Sequence, residues 1–471
     1  MPRGRLALLA LASLFLLAVV LDFPPQIRGP APYPPEWQWA LREGPTSGRW
    51  APPVLAAALL LGLMALSGSP WALARSRGAA RAIVAAAVAL GFALSVGLLG
   101  LEPSGAFRTL AARTMSPSWS SYYSVAVSAE AADPIAFLDR HAELLPRLPK
   151  HAATHPPGPV LYYRGLVALF ERSPTLTRTF LALQGHDETQ EPRPPNTRAS
   201  KAAALFGALV LTLLGMAAAW PVAAIAARLS GDPLSGARVG ALWTLVPGPV
   251  LFVPQFDQAL ALAVAGVLAL LLAAAAEPRS LPRTTLAAAA GLVAGIALVV
   301  SYGSLAFLLV AGVAYLAVAG VSQRTLLVGV VADVAAFVVI GATALLGHDP
   351  LDALLTALSI HRETYTEPRS YFLWLPFNLL DLSIFLGPPV AALFVREVFR
   401  SRSARWLAIA LAVLLVSGAT RGEVGRIWIP LMPMLLLAAT AMPGRPSRGE
   451  SLWLGALLVA MGMALRSRWV L

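Results

Sequence analysis

The sequence predicts an all-α, polytopic membrane protein: a single membrane domain over residues 1–471 with amphipathic helices outside the bilayer. Three observations predict it. Of 471 residues, 57% are hydrophobic and 13% charged, and the mean hydropathy is +0.69, too apolar for a soluble domain. Apolar runs recur about thirteen times at roughly the ~20 residues a helix needs to cross a bilayer. Arginines collect in alternate turns between those runs, the pattern of cytoplasmic loops.

The first run, 5–22, follows Met1-Pro2-Arg3-Gly4-Arg5. No small-x-small cleavage pattern comes directly after it, so it reads as an uncleaved first span. Runs 52–70 and 80–101 flank Arg75, Arg77 and Arg81. The next runs are 201–229, 235–254, 257–276, 284–302 and 303–320, the last two divided by Ser301-Tyr302-Gly303-Ser304, a tight-turn sequence. Runs 325–347, 376–398, 405–420, 427–442 and 451–466 complete the set. With the N-terminus cytoplasmic, the Arg-rich turns fall on one side, including Arg228, Arg279, Arg283, Arg324, Arg396, Arg400 and Arg448. Three polar regions then fall outside: 23–51, 102–200 and 348–375. All six histidines lie in the last two, and histidine is the side chain that changes charge near neutral pH.

Composition also excludes. Cys is 0, which removes disulfides and cysteine-held metals. The net charge of +12 calls for no nucleic-acid partner, because a lipid bilayer with arginine-lined cytoplasmic loops accounts for it. Only Lys150 and Lys201 are lysines, the bias a GC-rich bacterial genome produces, and a bacterial plasma (inner) membrane is the expected location.

Region 102–200 has its own order. Asp133 is a candidate N-cap with Pro134 at the first helical position, and apolar residues at helical spacing run to Leu145, an amphipathic helix at the membrane surface. Then comes the stretch around which the rest of the chain is arranged, His151-Ala152-Ala153-Thr154-His155-Pro156-Pro157-Gly158-Pro159. Two prolines stop any helix and push the preceding residues to extended geometry. A new helix starts just beyond, so the motif is a rigid elbow holding His155 at a helix mouth. His186-Asp187-Glu188 sits in a polar, Pro-rich linker and is a weak candidate for a cation.

The order of these elements, with the acidic and aromatic first loop (Asp22 to Trp39), Gln255-Phe256-Asp257, His361-Arg362 and Gly422-Glu423-Val424-Gly425-Arg426, resembles the GT-C superfamily of integral-membrane glycosyltransferases. The elbow is similar to that of the protein O-mannosyltransferase and aminoarabinose-transferase branch. The resemblance implies a polyprenyl-phosphate-sugar donor, an extracytoplasmic acceptor, and a general base in the first external loop. Two departures stand out. Family members carry a paired acidic motif close after the first span, whereas Asp22 has no acidic neighbour and Glu36 is the next carboxylate. The elbow ends in Gly158, where many members have leucine.

Within that frame, Glu36, held between Pro35 and Trp37, is the first candidate for the base and Asp22 the second, with Glu43 and Asp257 behind. Trp37 and Trp39, with Tyr33, offer flat faces for a sugar or a lipid head, or form an interfacial belt. Arg28, Arg164, Arg362, Arg421 and Arg426 are candidates for the leaving phosphate, since arginine binds phosphate bidentately. Glu423 and Arg426, at i and i+3, equally suit a structural pair. His155 is a candidate contact for the donor phosphate or a divalent cation, or a structural part of the elbow. Tyr122, Tyr123, Asp257 and His361 are assigned to the same substrate cavity. Asn378 and Asp381 at the outer start of a span, and Asp333 in mid-span, are polar residues of the kind that mark function inside membranes. The rival reading is a non-enzymatic carrier or flippase of lipid-linked glycans. The rival would place polar or broken helices at the midplane, whereas this chain keeps most of its polar residues outside.

Overall fold

The computed structural model describes residues 3–32, 34–44, 46, 48–185, 195–441 and 447–471. Tyr33 and His186-Asp187-Glu188 lie outside the described residues. The described chain is almost wholly helical, and its one sheet pairs two antiparallel two-residue strands.

Helix α1 (Arg3–Leu21) is rich in leucine and alanine and stops where Asp22 takes φ +51°. Strand β1 (Ala40–Leu41) lies in the loop that follows. Helix α2 (Ala51–Leu66) starts with prolines in its first turn, where their missing N–H costs nothing. A short α3 (Pro70–Ala74), capped by Ser69, leads into α4 (Ser76–Leu99).

Six short helices then build the polar region: α5 (Ala106–Met115), α6 (Tyr122–Ala126), α7 (Pro134–Asp139), α8 (His141–Leu144), α9 (Gly158–Glu171) and α10 (Pro174–Leu183). Asp133 caps α7 as expected, accepting from the N–H groups of Ile135 and Ala136. The single helix expected to Leu145 instead breaks at Arg140 (φ −98°, ψ 7°). The break turns His141 inward, where it is buried edge-on against His348.

Helices α11 (Arg198–Ala217) and α12 (Ala219–Ser230) run on as one 33-residue rod. The run expected as one helix over 235–254 is split into α13 (Pro233–Trp243) and α14 (Pro247–Leu251), because Pro247 cannot donate to the preceding turn. Next come α15 (Phe256–Ala276), α16 (Ser280–Val300), α17 (Ser304–Ala319) and α18 (Gln323–Leu345). Helix α19 (Pro350–His361) passes into a π-helical turn over Arg362–Thr366. Helices α20 (Tyr371–Leu386) and α21 (Pro388–Val398) meet at 115° around Gly387. Its φ of +95° suits glycine, and a Cβ there would lie 2.2 Å from Leu458. Helices α22 (Arg402–Val416), α23 (Val424–Ile427), α24 (Met432–Thr440) and α25 (Arg448–Arg468) lead to β2 (Trp469–Val470).

Among the described residues, five helices are long and apolar enough to cross a membrane: α4, the α11 and α12 rod, α15, α16 and α18. The bent α20 and α21 pair makes a sixth. The described chain is thus compatible with a multi-pass membrane protein.

The bundle has two unlike ends. At one, Arg238 reaches Ser67 (3.4 Å) and Asp232 (3.7 Å), Arg324 bonds the Glu277 carbonyl, and Ser403 bonds that of Ala317 (3.1 Å). At the other, β1 pairs with β2, Ala40 opposite Val470. There Arg42 holds Glu102 bidentately (2.7 and 3.1 Å), Arg466 takes the same carboxylate, and Arg113 donates to the carbonyls of Val253 (2.8 Å) and Leu471. The described parts of regions 23–51, 102–200 and 348–375 adjoin in space: Arg42 bonds Glu102, Glu36 accepts from Ser370 N, and His141 packs on His348.

Candidate functional site

The elbow folds as its prolines dictate. A 3₁₀ turn over Lys150–Thr154 ends at an extended His155 (φ −126°, ψ 156°), and α9 begins at Gly158. Glycine is required there by close approach, because a Cβ would stand 2.3 Å from the Val299 carbonyl oxygen at the end of α16.

Around the elbow a cluster forms from five separate stretches. His155 packs edge-on against Tyr122 (5.3 Å between ring centroids) and lies 6.4 Å from His151. His151 lies parallel to Tyr365 of the π turn at 6.2 Å, and Tyr365 touches His361 at 5.6 Å. Tyr122 also meets Phe256, next to Asp257 in the first turn of α15. Arg426 acts electrostatically on Asp257, Tyr122, His151 and His155. It pairs with Glu423 at 2.8 Å, and Glu423 also faces Arg369 at 3.8 Å. Asp257, His151, His155, His361, Glu423 and Arg426 all remain partly exposed.

Burial sets the protonation of this cluster. It pushes His155 down to about 4, with His361 and Arg426 adding to the effect and the His151 carbonyl opposing it. His151 is pushed well below its ordinary value by burial and then by Arg426. His361 is lowered by burial and Arg369. Neutral imidazoles result at pH 7. The Nδ1–H of His155 donates to the His151 carbonyl oxygen at 2.9 Å, so Nε2 keeps its lone pair. Arg426 Nε is buried without a hydrogen-bond partner. The Asp257 carboxylate takes only a backbone N–H and, among the described residues, no side-chain hydrogen bond.

The cluster gathers His155, Tyr122, Asp257, His361, Glu423 and Arg426. The other expected site residues stand elsewhere. Both oxygens of Glu36 are engaged: Oε1 accepts from Ser370 N (3.0 Å) and Oε2 from Trp374 Nε1 (2.7 Å). Glu36 thereby sits at the start of α20, where a carboxylate is favoured by the unpaired N–H groups and the helix dipole. Asp22 is tied to Arg28 at 2.7 Å, and Arg28 also donates to the Trp39 carbonyl. Arg28 and Trp37 border a cavity of ≈ 10 Å³, room for one water. Tyr123 turns away, its hydroxyl 2.9 Å from both Asn196 and Ser200. Arg362 pairs with Glu367 at the surface. Arg164, on α9, makes no hydrogen bond or ion pair to the cluster, and its Nε is buried without a partner.

Sequence reasoning passed over Arg369 and Trp374. Arg369 is buried, over the Trp37 ring, and donates to the Arg421 carbonyl. Among the described residues no group of three or more His, Cys, Asp or Glu side chains is placed to hold a metal ion. In comparisons with protein-family models, curated proteins and solved structures, nothing matches this chain.

Proposed function

We propose that the chain is a GT-C-type glycosyltransferase of a bacterial plasma membrane, with all thirteen apolar runs crossing or entering the bilayer. The N-terminus would be cytoplasmic and the histidine-bearing end extracytoplasmic. It would move a sugar from a polyprenyl-phosphate-sugar donor to an extracytoplasmic glycan, lipid or protein acceptor.

One observation carries the reading. At the end of the bundle remote from the arginine-rich turns, a carboxylate that takes no side-chain hydrogen bond among the described residues (Asp257) adjoins a cationic side chain with an unused donor (Arg426 Nε) and neutral imidazoles. That is the equipment of sugar transfer from a phosphate: a base for the acceptor hydroxyl and a cation for the phosphate that departs. In this reading Asp257 takes the acceptor proton, Arg426 binds the leaving phosphate, and His155 Nε2 accepts a hydrogen bond from a sugar hydroxyl. Glu36 and Asp22 shape the first loop instead. Their carboxylates are already engaged, and a base must be free to reach its proton.

The carrier reading draws on the break between α20 and α21, since transporters use discontinuous helices. One experiment separates the two. Purified protein in lipid is given a panel of radiolabelled polyprenyl-phosphate sugars, with wild type beside Asp257→Asn and Glu36→Gln. Transfer by wild type, lost in Asp257→Asn while donor still binds, supports the transferase. Donor binding or movement across the bilayer without transfer to any acceptor supports the carrier.

A further inference from the structure

Helix α18 is the most outward-facing of the five spanning helices, with 22% of its apolar window buried. One side packs tightly on α16, where a Cβ at Gly291 would collide with the Ala332 carbonyl oxygen and one at Gly295 would reach that of Ala336. The other side exposes Leu326 (52%), Val330 (56%), Val334 (58%) and Phe337 (70%) at helical spacing. Midway along the helix, on the flank of that apolar face beside Val330 and Phe337, stands Asp333, exposed. At 1.5 Å per residue it lies about 15 Å from the helix start, near the centre of a hydrocarbon layer about 30 Å thick.

Its carboxyl group makes no hydrogen bond or ion pair with any described residue. Arg324, in the first turn of the same helix, is bound to the Glu277 carbonyl. A polar group left bare in hydrocarbon is costly, and ionisable residues facing lipid are rare for that reason. The face therefore calls for a cover that brings a hydrogen-bonding group to the same depth.

All copies of a membrane protein insert with the same orientation. Two copies related by a two-fold axis along the membrane normal bring equal depths together, so Asp333 meets Asp333. Two carboxyl groups satisfy one another with no third residue, the O–H of one donating to the C=O of its neighbour. Gly329 and Gly341 have open space where a Cβ would stand, which lets a second backbone approach. We propose that the Asp333 face of α18 is the interface of a homodimer, closed by a carboxyl pair on the two-fold axis. This rests on α18 spanning the membrane and is independent of the transferase reading.

Because the chain has no cysteine, one introduced thiol reports on one surface. Full-length protein is reconstituted in lipid vesicles at graded dilution. Phe337→Cys should cross-link between copies, whereas Val413→Cys, exposed on α22, should not. Subunit counting by single-molecule photobleaching should find dimers for wild type and for Asp333→Asn, which keeps a donor and an acceptor. Asp333→Leu should weaken association by about five- to thirty-fold, the worth of a hydrogen bond between membrane helices. A wild-type monomer overturns the proposal and leaves the face to another protein or to lipid. Equal cross-linking at both positions, or undiminished pairing of Asp333→Leu, overturns it as well.

Discussion

The indole Nε1 of Trp39 lies 2.8 Å from Oδ1 of Asp381, 342 positions later in the chain. The other oxygen of Asp381 accepts from Gly425 N at 2.7 Å. One buried carboxylate thus fastens the first loop, the bent helix α20 and the short helix α23, which carries Arg426.

Removing that carboxylate leaves two buried donors unpaired. Asp381→Ala should lose about 1–3 kcal/mol for each stranded donor, and Asp381→Asn less, because its amide keeps an acceptor. Thermal unfolding in detergent measures both. A midpoint unchanged in Asp381→Ala would show that the contact contributes nothing.

For Asp257 and Glu36, activity and stability should separate. Asp257→Asn should lower the transfer rate by about 10²–10⁴-fold, the usual contribution of a general base, with little loss of stability. Glu36→Gln should turn an amide N–H₂ toward Ser370 N or Trp374 Nε1 and cost about 1–3 kcal/mol, while keeping transfer within tenfold of wild type, roughly 1.4 kcal/mol in the barrier. The reverse pattern would return the base to the first loop.

The elbow offers a test by a single methyl group. Gly158→Ala forces a Cβ against the Val299 carbonyl oxygen, and should destabilise by about 1–3 kcal/mol, as overpacking does. Gly165→Ala, on the same helix with open space around it, should be neutral or gain up to about 1 kcal/mol from helix propensity. Equal effects of the two changes would refute close packing at the elbow.

Acid should weaken the fold through His155. Its folded value, pushed down to about 4 by burial, lies below the ordinary 6.5. Between those values the unfolded chain binds the proton and the folded chain does not. The contribution to stability is therefore complete above pH 6.5 and is lost as pH falls toward 4, by at most about 3 kcal/mol. His155→Gln should flatten that part of the stability curve. The comparison needs His141→Gln beside it, because burial and His348 push His141 to about 3. A slope unaltered in His155→Gln would place the titration elsewhere.

Local features were the legible ones. Apolar runs located the helices, Asp133 and Pro134 announced α7, and two prolines in sequence announced the elbow, because each acts within a few residues of itself. The helix breaks at Trp243 and Gly387 were written in Pro247 and in the Gly387-Pro388-Pro389 sequence, but average hydropathy smooths over them. The role of Glu36 was illegible for a different reason. Its flanking Pro35 and Trp37 are visible in the sequence, but the helix start it meets lies 334 positions away. Arg466 left a usable clue. It stands at the outer end of the last apolar run, and a cation at the end of a span calls for a carboxylate partner, here Glu102.

The pairing of Ala40 and Leu41 with Trp469 and Val470 has a consequence for biosynthesis. A ribosome adds about 5–20 residues per second. The first loop therefore emerges on the order of tens of seconds before its partner strand is made. During that interval its backbone donors and acceptors face solvent or a chaperone, and the Glu102 carboxylate has Arg42 without Arg466. Closure of this end is a late event, set by the order of translation, and a chain interrupted before residue 466 would present an unsealed first loop to quality-control proteases.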